Sequence, residues 1–131
     1  DIPPTWCVRG RETQLSQVLM NVLNNAYDAA MNTSARWIQI KAAAESNWIE
    51  IRITDCGNGI DKKTQGRIFE PFFTTTPLGK GTGLGLSISQ GIMESHGGSI
   101  TYDPNYKNSS FVIRIPRAAD LNGCALEDAT E

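Results

Sequence analysis

The chain has 131 residues, of which 40% are hydrophobic, and its formal net charge is −2. A chain of this size and composition can bury a core of its own as one domain. It has no run of basic residues and no apolar run of membrane-spanning length, so we expect neither nucleic-acid binding nor direct membrane contact. The odd number of cysteines, Cys7, Cys56 and Cys124, predicts free thiols in a reducing compartment, which favours a cytoplasmic location.

The first long periodic segment, from Glu12 to about Met31, predicts an amphipathic helix. Its apolar positions are Leu15, Val18, Leu19, Val22, Leu23, Ala26 and Ala30. A second, polar stripe along the same helix consists of Gln17, Asn21, Asn25 and Asp28. Asparagine is a poor former of helix interiors, and its amide oxygen is a hard ligand that suits Mg²⁺. From the residues alone, this stripe is either a metal or phosphate site or a polar edge of the core.

Strand candidates lie at residues 36–42 and 48–55, and a weaker one lies at residues 5–9. Isoleucines alternate with polar residues in residues 48–55, and the same period puts Asp55 on the apolar face. A buried carboxylate needs hydrogen-bond donors, and the exocyclic amine of a bound base would be one. Gly57-Asn58-Gly59 follows directly, where the backbone can approach a flat ligand. The alternative, which Asp55 taken alone favours, is that its side chain caps this turn.

Three phenylalanines, Phe69, Phe72 and Phe73, precede a segment from Thr74 to Thr82 that is rich in threonine and glycine. Such a segment has little to bury, so we expect a mobile lid anchored by the phenylalanines. The glycine-dense stretch from Gly79 to Leu86 then enters a helical segment that ends near His96. These glycines would bring backbone N–H groups to a phosphate at the start of a helix.

The glycine-dense stretch matches neither the P-loop nor the G-x-G-x-x-G pattern of dinucleotide and protein-kinase loops. A phosphate site here therefore belongs to another class. After it, a last pair of strands is predicted at residues 99–102 and 110–115. The polar tail beyond Pro116 has no periodicity, and we expect it to be flexible.

In combination, these motifs resemble the catalytic and ATP-binding domain of bacterial sensor histidine kinases, whose fold is shared with DNA gyrase, MutL and the large heat-shock chaperones. The motifs are Asn21-Val22-Leu23-Asn24-Asn25, Asp55-x-Gly57-x-Gly59, the phenylalanines, and Gly81-x-Gly83-x-Gly85. The resemblance implies an α/β two-layer sandwich of the Bergerat type. It would have a mixed, largely antiparallel sheet of about five strands, about three helices on one face, and an ATP lid. The domain would span residues 1–116, with a flexible tail at residues 117–131.

The resemblance also implies roles for individual residues. Asn25 matches the family's Mg²⁺-coordinating asparagine, and Asn21 is its partner one helical turn earlier. Asp55 matches the aspartate that takes the adenine amino group. The catalytic set would be Asn21, Asn25 and Lys80, with Lys80 reaching the γ-phosphate. The other residues assigned to the ATP site are Gly57, Gly59, Ile60, Phe69, Phe72, Gly81, Thr82, Gly83, Leu84 and Gly85.

Position 21 distinguishes activities within this fold. The ATP-hydrolysing relatives have a glutamate there that activates water, whereas Asn21 cannot act as a base. This favours phosphoryl transfer, in which the protein mainly positions groups and neutralises charge. Two positions depart from the family pattern: Asp28 stands where many of these kinases have Lys or Arg, and Thr76 stands where a lysine is frequent. The role of Asp28 stays open, and Lys80 is the only lysine of the lid.

The family's phosphate acceptor is a histidine on a separate dimeric helical domain, and the one histidine here, His96, is at a helix end. We therefore expect the chain to bind Mg-ATP as a monomer without phosphorylating itself. Its partner would be the phosphoacceptor domain of a parent kinase, and indirectly a response regulator. Two alternatives stay open: a related kinase that phosphorylates serine on a regulatory protein, and a nucleotide-binding module without transfer activity.

Overall fold

The computed structural model describes residues 6–73 and 85–118. The elements are α1 (Glu12–Met31), β1 (Ile38–Ala44), β2 (Trp48–Asp55), α2 (Lys62–Gln65), α3 (Gly85–Ser95), β3 (Ser99–Tyr102) and β4 (Ser109–Pro116). The strands form one open sheet in the order β1-β2-β4-β3, and each neighbouring pair is antiparallel. The predicted α/β fold is confirmed. Its sheet has four strands in the described part of the chain, rather than about five.

The candidate strand at residues 5–9 contributes a single antiparallel bridge between Val8 and Arg117. The Ala118 N–H also donates to the Cys7 carbonyl at 2.7 Å. The two ends of the described chain are therefore hydrogen-bonded to each other next to the sheet. Because every pairing among the four described strands is antiparallel, the parallel component of the expected mixed sheet is not found there.

The core forms where the apolar stripe of α1 meets one face of the sheet. The buried residues of the helix are Val18, Val22, Ala26 and Ala30. The first three of them pack with a cluster from the sheet and α3 that includes Ile49, Ile53, Met93, Ile100, Phe111, Ile113 and Ile115. Helical and strand periodicity thus bring two apolar faces together, as the sequence pattern predicts. None of the helices in the described ranges is long and apolar enough to cross a membrane.

On the opposite face of the sheet, Arg52 contacts three residues of β4 and of the turn that precedes it. Its guanidinium donates to Asp103 at 2.8 Å and to the Ser110 hydroxyl at 3.0 Å. It also lies 4.6 Å from the centre of the Tyr106 ring. The Arg52 hydrogen bond is the main cause that lowers the pKa of the Asp103 carboxyl. These contacts fix the turn between β3 and β4 to the middle of β2.

The two cysteines in the described part of the chain differ from each other. Cys56 is a buried free thiol, whereas Cys7 is disulfide-bonded. The expectation of free thiols is therefore wrong for Cys7, because an odd number of cysteines still permits one pair. The cysteines consequently lend no support to a reducing compartment.

Candidate active site

Asn21 joins the middle of α1 to the start of α3. Its side-chain amide donates to the Gly85 carbonyl at 3.2 Å and to the Ser89 hydroxyl at 3.0 Å. A Cβ at Gly85 would lie 3.7 Å from the Asn21 side-chain carbon Cγ, so the two elements are in van der Waals contact here. Gly85, the last glycine of the predicted phosphate loop, is therefore held against the asparagine motif.

Asn25 lies one helical turn further along α1, and it is half-buried. Among the described residues, no hydrogen bond involves its side chain. A half-buried amide that has no hydrogen bond in the described part of the chain is available to a ligand. Its oxygen suits a hard cation such as Mg²⁺, which usually takes few protein ligands beside water and substrate phosphates. The residue present at this position therefore fits the metal that the resemblance implies.

Asp55 ends β2 and is only 2% exposed. Its oxygen Oδ1 accepts a hydrogen bond from the Gly57 N–H at 2.7 Å. Burial raises the pKa of the Asp55 carboxyl, and the Gly57 hydrogen bond partly offsets this rise. The turn-capping alternative is therefore correct for Oδ1. The other oxygen, Oδ2, has no hydrogen-bond partner among the described residues, which leaves it free to accept from a ligand.

The loop after Asp55 requires glycine at both predicted positions. A Cβ at Gly57 would lie 2.7 Å from the Asp55 oxygen Oδ1 and 3.8 Å from the Cβ of Ala29 on α1. Gly59 has a φ angle of +91°, in the left-handed region that favours glycine. Ile60, also assigned to the site, packs against the core at the end of this loop. The loop therefore follows a path close to both its own aspartate and helix α1.

One stripe of α1 connects these parts of the site. Asn21, Asn25 and Ala29 are spaced four residues apart, so they lie on one face of the helix. Gly85 contacts Asn21 at one end of this stripe, and Gly57 lies next to Ala29 at the other. At the rise of an α-helix, the two ends are about 12 Å apart. The unpaired amide of Asn25 lies between them.

The two assigned phenylalanines occupy different environments. Phe69 is half-buried and packs edge-to-face against Phe111, with ring centres 6.4 Å apart. Phe72 is 74% exposed and has a φ angle of +68°. Phe69 therefore packs against the edge of the core, whereas Phe72 is exposed to solvent. The neighbouring Phe73 is partly buried, with the guanidinium of Arg67 4.7 Å from its ring centre.

Five assigned residues lie outside the described residues, together with the whole of the predicted lid. They are Lys80, Gly81, Thr82, Gly83 and Leu84. Their assignments and the lid itself remain expectations from the sequence. Of the flexible tail predicted at residues 117–131, the structure describes only Arg117 and Ala118, and both are hydrogen-bonded to the rest of the chain.

The structure adds residues that the sequence did not single out. Ser109 is 6% exposed and directly opposite Asp55 in the pairing of β2 with β4. It is in phase with Phe111 and Ile113, so the strand period could have indicated its face. The other additions are Ser89, Tyr102 and Asn108, which bond to Asn21, Ile60 and Gly57. Those contacts depend on which elements pack together, which no local pattern indicates.

The open antiparallel sheet and the helices on one face define a two-layer α/β sandwich. Residues 10–119 match the model of the family described as histidine kinase-, DNA gyrase B-, and HSP90-like ATPases. The chain belongs to this family.

Named relatives and solved structures agree with this membership. The two-component sensor PprA of Pseudomonas aeruginosa is 44% identical over 117 residues, which cover 86% of this chain and 13% of that protein. The chain thus spans about an eighth of the length of this relative. A structure of the catalytic domain of histidine kinase ThkA has a TM-score of 0.72 and 34% identity, covering 84% of this chain and 70% of that one. The structure of full-length ShkA in complex with AMPPNP has a TM-score of 0.73 and 28% identity. The match covers 95% of this chain and 26% of that one.

Proposed function

We propose that this chain is the catalytic domain of a two-component sensor kinase. It binds Mg-ATP and transfers the γ-phosphate to a histidine on a separate dimerisation and phosphoacceptor domain. The observation that carries this proposal is the α1 stripe, on which the unpaired amide of Asn25 lies between Gly85 and the Gly57 turn. A stripe of this length can hold a base at one end and phosphates at the other.

At the base end, Asp55 supplies the selectivity. Its oxygen Oδ1 is occupied by the Gly57 N–H, so Oδ2 accepts from the exocyclic amine of adenine. Guanine has a carbonyl oxygen at the equivalent position, which an ionised carboxylate would repel. The buried environment of Asp55 strengthens this discrimination, because a charge with few alternative partners makes a mispaired ligand costly. Gly57, Gly59 and Ile60 form the wall beside the base.

At the phosphate end, the amide oxygen of Asn25 would hold the Mg²⁺ that accompanies the nucleotide phosphates. Bound there, the metal would neutralise charge on the transferring group. Asn21 has a different task, because its amide is engaged with Gly85 and Ser89. It fixes the start of α3, and with it Gly85, where the phosphates would lie. Lys80 and the glycines before Gly85 complete this end in the proposal.

The transfer itself is an in-line exchange at phosphorus. A nitrogen of the acceptor histidine forms the new bond to the γ-phosphorus, the bond from that phosphorus to the β,γ-bridging oxygen breaks, and ADP leaves. An asparagine at position 21 gives no base to activate water, so hydrolysis is not favoured. The match to PprA, named as a two-component sensor, and the AMPPNP complex of ShkA support both the nucleotide and the type of partner.

The experiment is transfer of label from [γ-³²P]ATP to a purified phosphoacceptor domain of the parent kinase, with the chain supplied in trans. Label on the acceptor domain that is lost in acid and retained in alkali is expected, because phosphohistidine is acid-labile. The chain alone should remain unlabelled, and Asn25→Ala should transfer poorly. Acid-stable label on serine would instead support the regulatory serine kinase. Binding of ATP without any transfer would support the module that only binds nucleotide.

A further inference from the structure

The loop from Gly57 to Ile60 is held by side chains and not by backbone pairing. Among the described residues, no backbone–backbone hydrogen bond involves any of its residues. Its backbone groups hydrogen-bond to side chains instead. Asp55 accepts from the Gly57 N–H, and Gln65 donates to the Ile60 carbonyl. Because no backbone hydrogen bonds fix the conformation of this loop, the positions of these side chains determine it.

Two of the side chains that hold the loop come from a different part of the fold, the hairpin of β3 and β4. The Ile60 N–H donates to the Tyr102 hydroxyl at 2.7 Å. The side-chain amide of Asn108 donates to the Gly57 carbonyl at 3.1 Å. A Cβ at Gly59 would lie 3.1 Å from the same Tyr102 hydroxyl, so this oxygen lies against the middle of the loop too. The hairpin therefore holds both ends of the loop.

The hairpin is a firm support for these contacts. The ring of Tyr102 packs edge-to-face on the buried Phe111 of β4, with centres 5.4 Å apart. The turn that follows is fixed by the 2.8 Å ion pair between Arg52 and Asp103. Asn108 comes directly before β4, whose first residue is paired with Asp55. The same hairpin thus positions both the carboxylate and the loop that follows it.

We propose that Tyr102 and Asn108 are positioning residues for adenine recognition. They contact no nucleotide in the proposed arrangement; they hold the Gly57–Ile60 loop at the distance from Asp55 that admits a purine and aligns its exocyclic amine with the carboxylate. Loss of either hydrogen bond lets the loop move, which weakens ATP more than GTP because only adenine uses the carboxylate as an acceptor. The inference rests on the proposed function, since it assumes that Asp55 receives the base.

The test is calorimetric titration of the whole chain with Mg-ATP and with Mg-GTP, combined with thermal unfolding. The variants are Tyr102→Phe, which keeps the ring and removes the hydroxyl, and Asn108→Ala. Matched controls from the same hairpin are Tyr106→Phe and Asn105→Ala, since the side chains of Tyr106 and Asn105 do not hydrogen-bond to the loop. Asp55→Asn serves as the reference for full loss of the ATP preference.

Each test variant should bind ATP about threefold to tenfold more weakly, the range for one lost hydrogen bond, while its affinity for GTP changes by less than about twofold. The ratio of the two affinities should therefore fall toward that of Asp55→Asn, and both controls should keep the ratio of the wild type. A merely structural role would lower the melting temperature and leave the ratio of the two affinities unchanged. That result would overturn this inference and leave the proposed function standing.

Failure of the proposed function gives a different result. A wild-type chain that binds neither nucleotide would overturn the proposed function and, with it, this inference. Should Asn108→Ala fail to fold, Tyr102→Phe decides the question, because it removes one oxygen and preserves the packing on Phe111.

Discussion

The side-chain amide of Asn21 lies 3.0 Å from the hydroxyl of Ser89, and Ser89 has no exposed surface. This pair links α1 to α3 inside the protein. Ser89→Ala removes the hydroxyl while the Gly85 carbonyl still accepts from Asn21. The free energy of unfolding should therefore fall by about 1 kcal/mol, measured by urea denaturation.

Ser95→Ala is the control for this substitution. Ser95 is an exposed residue on the same helix, and its hydroxyl donates to the Ile92 carbonyl within that helix. Its replacement should change stability by less than about 0.5 kcal/mol. Equal losses of unfolding free energy for the two variants would show that the hydrogen bond between Asn21 and Ser89 contributes no more to stability than a hydrogen bond within α3.

A second prediction concerns the pH dependence of Asp55. Burial raises the pKa of its carboxyl above the ordinary value of 3.8, so the folded chain binds this proton more tightly than the unfolded chain. The contribution of Asp55 to stability therefore decreases as the pH rises from the unfolded pKa through the folded one. Asp55→Asn keeps an oxygen for the Gly57 N–H and removes the charge. It should melt at a higher temperature than the wild type at neutral pH.

The difference in melting temperature should shrink as the pH falls through the raised pKa of the folded Asp55 carboxyl, because the wild-type carboxyl then becomes protonated. Asp61→Asn provides a control of opposite sign. The Thr64 hydrogen bonds lower the pKa of the Asp61 carboxyl below its ordinary value of 3.8. Its stabilising contribution is therefore present at a pH above that ordinary value and is lost as the pH falls through the lower pKa of the folded chain. A stability advantage of Asp55→Asn that grows in acid would contradict this assignment.

The phenylalanines give a third prediction. Phe69 packs on Phe111 and joins the edge of the core, so Phe69→Ala should cost about 2 to 3 kcal/mol of unfolding free energy. Phe72 is 74% exposed, so Phe72→Ala should change stability by less than about 0.5 kcal/mol. Denaturant unfolding of both variants measures this contrast. A large loss for Phe72→Ala would show that its ring is buried in solution.

Strand and helix limits follow closely from the sequence because each element has one buried face. The predicted strand at residues 48–55 coincides with β2, and the predicted strand at residues 99–102 coincides with β3. The edge strand was predicted at residues 36–42 and is found at Ile38–Ala44. Ile38 and Ile40 of that strand are exposed, so the alternation of apolar and polar residues predicts the limits of this strand less well.

The site was predictable only where local chemistry sufficed. The asparagines and Asp55 stand out because a polar residue in phase with a core needs a partner. The partners themselves were not predictable, since Asn21 and Ser89 are 68 residues apart in sequence, and Ile60 and Tyr102 are 42 apart. Which helix faces which, and which hairpin reaches which loop, depends on tertiary packing. The disulfide at Cys7 was missed for the same reason.

In the proposed site, Asn25 binds the metal of Mg-ATP. The side chain of Asn25 has no hydrogen bond among the described residues, so Asn25→Ala should leave the melting temperature nearly unchanged. Asn24→Ala, an exposed neighbour on the same helix, is the matched control.

The most direct measurement is calorimetric titration of wild type, Asn25→Ala and Asn24→Ala with ATP, in the presence and absence of Mg²⁺. The wild type and Asn24→Ala should bind ATP more tightly with Mg²⁺ than without it. Asn25→Ala should lose this gain and keep the binding seen without the metal. An undiminished effect of Mg²⁺ in Asn25→Ala would contradict the role of Asn25 in the site.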